Sequence, residues 1–220
     1  MKITLTDVGK RFNRDWIFRH LHYEFTNGNS YAIIGPNGSG KSTLLQVIAG
    51  AVAESEGKVD YFIPAAGVAD NAGQQSSHSG VPLAVENFYR HISIAAPYLE
   101  LIEEMTLTEF LQFHQTFKPF VAGVSIAQII AETGLEKAAH KQIRYYSSGM
   151  KQRVKLAQAF FSDTELVLLD EPITNLDLDG ISLYRQLVKK CSGNRILIVS
   201  SNDQQEYDFC KKSVDIMAYK

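Results

Sequence analysis

The 220-residue sequence predicts an α/β fold with a mostly parallel sheet. Three observations carry that expectation. An apolar strand, Tyr31-Ala32-Ile33-Ile34, runs into a glycine-rich loop and then an apolar-faced helix. A second apolar strand, Leu166-Val167-Leu168-Leu169, ends in two acids, Asp170 and Glu171. Through the second half, strand-length apolar runs alternate with helical patterns, the order of parallel βαβ units.

Each element follows from its pattern. Residues 3–8 and 21–26 read as short strands with a turn near Asn13-Arg14-Asp15, and Asn27-Gly28-Asn29 is a second turn. Lys41 to Ala49 reads as a helix with Leu44, Leu45, Val47 and Ile48 on its apolar side, stopped by Gly50. Val59–Ile63 and His91–Ala95 read as strands. Between them, Ala69 to Gly80 is rich in Gly, Ser, Asn and Gln, and reads as a mobile surface loop without assigned chemistry. From Thr108 to Leu135 the pattern is helical. Phe110, Leu111, Phe113 and His114 share one face and Ile126, Ile129 and Ile130 another, with Pro119 separating two helices. A helix from Ser147 or Ser148 to Phe161, a strand at Glu165–Leu169, a helix at Ile181–Cys191 and a strand at Arg195–Ser200 complete the reading.

Composition narrows the class. A formal net charge of -2 implies no broad basic field, so nucleic acid is not an expected partner. Cys191 and Cys210 form neither a CxxC pair nor a metal-ligand spacing and read as reduced packing residues of a cytosolic protein. The six histidines show no paired metal spacing. The first residues lack an apolar h-region, and the longest apolar runs fall far short of the roughly 20 residues of a membrane helix. A membrane task would need a second chain to supply the span.

The glycine-rich loop is the most specific feature. Gly35-Pro36-Asn37-Gly38-Ser39-Gly40-Lys41-Ser42 fits G-x-x-x-x-G-K-[ST], followed by Thr43, in the strand–loop–helix context that the motif requires. Triphosphate oxygens must be wrapped by backbone N–H groups, and side chains at Gly38 and Gly40 would block that approach. Lys41 is expected to reach the β- and γ-phosphates of ATP, and the Ser42 hydroxyl to bind Mg²⁺. The acids fit the same chemistry. Asp170 is expected to hold Mg²⁺ through water, and Glu171 to orient or deprotonate the attacking water.

One segment makes the reading more specific. Tyr146-Ser147-Ser148-Gly149-Met150-Lys151-Gln152-Arg153 lies one helix before the acidic strand, and Asn175-Leu176-Asp177 lies just after Glu171. Together with the phosphate loop, these resemble, in order and spacing, the signature and D-loop of ABC-type ATPases over essentially the whole chain. The resemblance implies a P-loop NTPase core with a mostly parallel sheet, an antiparallel β subdomain and a helical subdomain. Residues 1–97 and 151–220 would form the core and 98–150 the helical part. It also implies a head-to-tail dimer, expected as a homodimer, in which Ser147, Ser148 and Gly149 close over ATP held by the other subunit. On the residues alone, Ser147 is equally an ordinary helix N-cap.

The departures from the family pattern are informative. Ser148 stands where glycine is usual and Met150 where glutamine is usual. Pro97 falls at the Q-loop glutamine, and its side chain cannot ligate a metal. Asn202 falls at the switch histidine and can hydrogen-bond a γ-phosphate but cannot carry a proton as histidine does. Slow or differently tuned hydrolysis is therefore expected, with Lys41, Glu171 and Asn202 as its residues. Phe12 has the family's distance from Gly35 for stacking on adenine, with Trp16 as competitor. Tyr98 to Ile102 follow the Q-loop position, where the family docks a separate transmembrane subunit. The overall expectation is the ATP-hydrolysing subunit of an ABC transporter, more an exporter than an importer, peripheral at the inner face of the cell membrane. The alternatives are a soluble ATPase assembling another complex, such as an iron–sulfur scaffold, or a slow nucleotide-dependent regulator.

Overall fold

The computed structural model describes residues 1–64 and 80–220. The expectation of a mobile loop over 69–80 lies outside the described residues, apart from Gly80. Nine strands and seven α-helices are described. In chain order they are β1 (Lys2–Phe12), β2 (Asp15–Thr26), β3 (Ser30–Ile34), α1 (Lys41–Ile48), β4 (Glu56–Pro64), β5 (Gly80–Pro82), α2 (Val85–Phe88), β6 (Ile92–Ala95), α3 (Leu107–Phe117), α4 (Ile126–Glu132), α5 (Ser148–Phe161), β7 (Leu166–Asp170), α6 (Leu178–Cys191), β8 (Ile196–Ser200), α7 (Gln204–Tyr207) and β9 (Lys212–Asp215).

Two sheets organise the chain. One is antiparallel, ordered β2-β1-β4-β5, and the other is parallel, ordered β6-β7-β8-β3-β9. β7 and β8 are buried along their full length, which is why they read as unbroken apolar runs rather than alternating ones. β1 and β2 run longer than their apolar patterns. Register shifts between Leu5 and Arg11 break the alternation, and the hairpin turns at Asn13, whose φ is 55°.

Packing forms two buried clusters. One joins the antiparallel sheet, α1 and one face of the parallel sheet through Phe18, Phe25, Tyr31, Leu44 and Ile198. The other joins the opposite face to the helices through Phe110, Ile129, Phe160, Leu169 and Tyr184. Alternate residues of β7 divide between the two clusters, Leu166 and Leu168 to the first, Val167 and Leu169 to the second.

Five of the α-helices start where a side chain can satisfy their first N–H groups, α3, α4 and α6 among them. Thr106 and Ser125 form capping boxes with Glu109 and Gln128 at α3 and α4. Asp177 accepts from the Gly180 N–H and starts α6 three residues earlier than its apolar pattern suggests. On α3, Phe110 and Leu111 are buried as expected, but Phe113 is not. It points outward and meets Phe117 edge-on, because it lies one position before His114, about 100° around the helix from that row and outside the contact stripe.

Candidate functional site

The site lies at the carboxyl ends of the parallel strands, where open α/β sheets bind ligands. Register brings its parts together. Ile33 of β3 and Asp170 of β7 both lie opposite Ser200 of β8, so the three form a line across adjacent strands. At about 4.8 Å per strand, Asp170 is roughly 10 Å from the strand that feeds the phosphate loop.

The loop at 35–40 turns tightly into α1. Gly40 has φ 98°, and a Cβ there would lie 2.2 Å from the Ile17 Cγ2, so only glycine fits. Pro36, Asn37 and Gly38 are exposed, Ser42 and Thr43 half-buried, and Ser39 buried. Lys41 is 5% exposed, and its ammonium donates to the carbonyls of Gly35 at 2.8 Å and Pro36 at 3.1 Å. The cation is thus held against the loop it would serve.

The acids sit on the neighbouring strand end. Asp170 is buried, and its Oδ1 has no hydrogen-bond partner among the described residues. Glu171 has φ 44°, a conformation costly for a residue with a Cβ. Its N–H donates to the Ser200 carbonyl at 2.9 Å, and its carbonyl accepts from the Thr174 N–H at 3.2 Å. Two side chains hold the turn that follows. Gln152 of α5 donates to the Pro172 carbonyl at 2.8 Å, and the Glu206 Oε1 accepts from the Ile173 N–H at 2.8 Å. Asn202 is exposed beyond β8 and lines one cavity together with Glu171 and Asn37.

Ser147, Ser148 and Gly149 lie on a second cavity, with Asn175 and Asp177 on its wall. Ser147 caps α5 by accepting from the Met150 N–H at 3.2 Å, so the N-cap reading holds for its oxygen, while its hydroxyl proton can still be donated. A Cβ on Gly149 would lie 2.8 Å from the Asn175 carbonyl oxygen, so glycine is needed for this loop to approach the helix. Arg153 of α5 pairs with Asp177 at 2.9 Å and locks the two segments together.

Phe12 ends β1 with its ring 48% exposed and the Lys10 ammonium 5.0 Å from its centroid. Trp16 is differently occupied, with the Arg19 guanidinium 4.2 Å and that of Arg11 5.5 Å from its centroid. The Pro97 carbonyl accepts from the Lys155 ammonium of α5 at 3.1 Å, fixing that loop through its backbone. Tyr98 differs from its neighbours. Its phenol faces Gln46 and Asp170, and burial pushes its pKa up. A groove beside it is lined by Pro97, Leu99 and Leu101 with Glu103, Lys151 and Lys155. Tyr98 is nonetheless 43% exposed; sequence reasoning missed Glu206 and the approach of the Tyr98 phenol to Gln46 and Asp170, since neither belongs to a motif it used.

A sequence profile of the ABC transporter family matches residues 18–174, more than half of the chain. The chain belongs to the ABC transporter family. Among relatives, the ABC transporter ATP-binding protein YdbJ of Bacillus subtilis is 28% identical over 95% of this chain and 64% of its own length. The cytochrome c biogenesis ATP-binding export protein CcmA of Agrobacterium fabrum is 28% identical over 93% of this chain and 90% of its own. HrtA of Staphylococcus aureus, whose name carries hemin import, is 26% identical over 98% and 97%. The chain thus spans less than two thirds of YdbJ but nearly all of the other two. The dimeric, post-hydrolysis structure of the ATP-binding cassette MJ0796 with ADP and Pi superposes with a TM-score of 0.77 at 22% identity, covering 97% of this chain and 94% of that one. The fold of this ABC chain is therefore the cassette fold. Among its described residues, no helix is long and apolar enough to cross a membrane.

Proposed function

We propose that this chain is the ATP-binding and ATP-hydrolysing subunit that powers an ABC transporter, working as a dimer closed by nucleotide. One observation carries this reading. Of the six buried side-chain polar atoms without a partner among the described residues, Ser39 Oγ, Asp170 Oδ1 and Ser200 Oγ lie on the phosphate loop or at the carboxyl ends of the strands beside it. Buried polar atoms are normally satisfied, so orphans gathered at one edge mark a place built for a polar ligand.

Gly35 to Thr43 would wrap the triphosphate with N–H groups, and Lys41 would leave the loop carbonyls for the β- and γ-phosphates. Ser42 and the orphaned Asp170 oxygen fit a hard divalent cation such as Mg²⁺, which when bound would neutralise phosphate charge. Glu171, fixed by its strained turn, would accept a proton from the attacking water, and Asn202 would donate to the γ-phosphate. Phe12 offers the free ring face for adenine. Ser147, Ser148 and Gly149 would close over the γ-phosphate of a second copy, a reading supported by the dimeric MJ0796 structure. A separate transmembrane subunit would dock at the groove beside Leu99 and Leu101, with the chain peripheral at the inner face of the membrane.

Glu171→Gln tests the core of the proposal. With Mg²⁺ and ATP, the variant should run as a stable dimer in gel filtration and lose ATP turnover by at least roughly a hundredfold. Unchanged turnover would remove Glu171 from the hydrolytic role. Export is the direction we propose. The name of CcmA supports it and that of HrtA points the other way. ATP-dependent uptake into inside-out vesicles containing the membrane subunit is the expected result, and uptake into right-side-out vesicles overturns it.

A further inference from the structure

Glu206 is a carboxyl for which the reading above has no task, although it stands against the hydrolytic turn. It lies on α7, is 3% exposed, and its Oε1 accepts from the Ile173 N–H at 2.8 Å, two residues beyond Glu171. Among the described residues its Oε2 is buried and makes no hydrogen bond of ordinary geometry, although the Ser201 hydroxyl faces the carboxyl. The same side chain lines the cavity shared by Glu171, Asn202 and Asn37 of the phosphate loop. Its backbone carbonyl is clamped by the Tyr184 hydroxyl at 2.6 Å, so the carboxyl cannot drift from this place.

We propose that Glu206 is a titratable positioning residue for hydrolysis: it holds the turn that carries Glu171, and when it ionises its charge opposes the anionic nucleotide in the same cavity. This rests on the hydrolytic role of Glu171 proposed above. The groups facing it are the Ser201 hydroxyl and the Ile173 N–H, which stabilise its charge, and the carboxyls of Asp203 and Glu171, which oppose it. Burial is the largest influence and pushes its pKa up to about 7. An anion here adds negative charge to a cavity that must also receive a triphosphate. Asn202 cannot titrate, so the pH response of this cavity is assigned to Glu206.

The test compares ATP turnover of the full chain and of Glu206→Gln from pH 6 to pH 8.5. Gln keeps an acceptor for the Ile173 N–H and cannot ionise. Wild-type turnover should fall about fivefold as pH rises through 7, while E206Q stays flat and overtakes it at pH 8. Glu206→Ala, which loses the acceptor, should be slow at every pH. Parallel pH profiles for wild type and E206Q would overturn the proposal. Calorimetric ATP binding separates the two readings. A wild-type chain that binds ATP but never hydrolyses it defeats the hydrolytic reading. The Glu206 proposal is then decided by affinity, which should weaken above pH 7 in wild type and not in E206Q; equal affinities at every pH overturn it.

Discussion

At the scale of the residue, most of the site is explained by what a single side chain, or its absence, permits. Gly40 is required by the 2.2 Å approach to Ile17, and Lys41 is held by two carbonyls before any phosphate arrives. Phe12 and Trp16 are separated by their neighbours rather than by their chemistry. Both are aromatic, but the guanidinium groups of Arg11 and Arg19 flank Trp16, and Phe12 has a ring 48% exposed. Phe12→Ala should therefore weaken ATP binding by about 1 kcal/mol, roughly fivefold, and leave the melting temperature nearly unchanged. Equal affinity in fluorescence titration would hand the stacking role to Trp16. The motif residues were legible because each is a local demand of backbone or phosphate chemistry. Glu206 was not, because an exposed acid and a buried one have the same letter.

At the scale of the element, helix starts and buried strands followed from the sequence more faithfully than helix faces. Caps are local, and Ser147, read from the sequence as a helix start, caps α5. The face of α3 is set by what packs on it. His114 lies between Phe110 and Phe120, and its Nε2 is 2.8 Å from the Ser162 Oγ. Burial lowers the His114 pKa from 6.5 to about 4. The folded chain therefore keeps this imidazole neutral below the pH at which the unfolded chain protonates it. Stability is fully present above pH 6.5 and is lost as pH falls toward 4. The loss between pH 6.5 and 5 should be about 2 kcal/mol, at the upper end because the ring is partly exposed. Urea unfolding of wild type and His114→Gln at both pH values checks this. The variant should lack that share of the decline, and identical declines would refute it.

At the scale of the whole molecule, two halves of an ATP site lie apart. The loop with Lys41 and the acids are on the parallel sheet, while Ser147 to Gly149 open on a different cavity walled by Asn175 and Asp177. The two sets open on different cavities, which is the physical case for the proposed dimer. Within one chain the halves are still linked, since α5 begins at the signature and its Gln152 grips the Pro172 carbonyl beside Glu171. Gly149→Ala tests this arrangement. Its Cβ would press on the Asn175 carbonyl at 2.8 Å and shift the loop between signature and acids. ATP binding by the isolated chain should stay within about twofold, while dimerisation with ATP and turnover should fall by tenfold or more. A parallel loss of binding and turnover would mean that the variant simply misfolds the core, and retained turnover would remove the signature from the site.

The sequence by itself determined the phosphate loop, the acidic strand end, the order of the motifs and the start of α5 at Ser147 or Ser148. These are local constraints: positive φ, N–H groups at helix ends, and runs of apolar residues of strand length. Tertiary structure alone decided the rest. Strand order places β8 between β7 and β3, and this puts Ser200 opposite both Ile33 and Asp170. It also decided which acid is buried and which cations sit against Phe12 and Trp16. Burial and register depend on segments far apart in the chain, so no short stretch of sequence carries them.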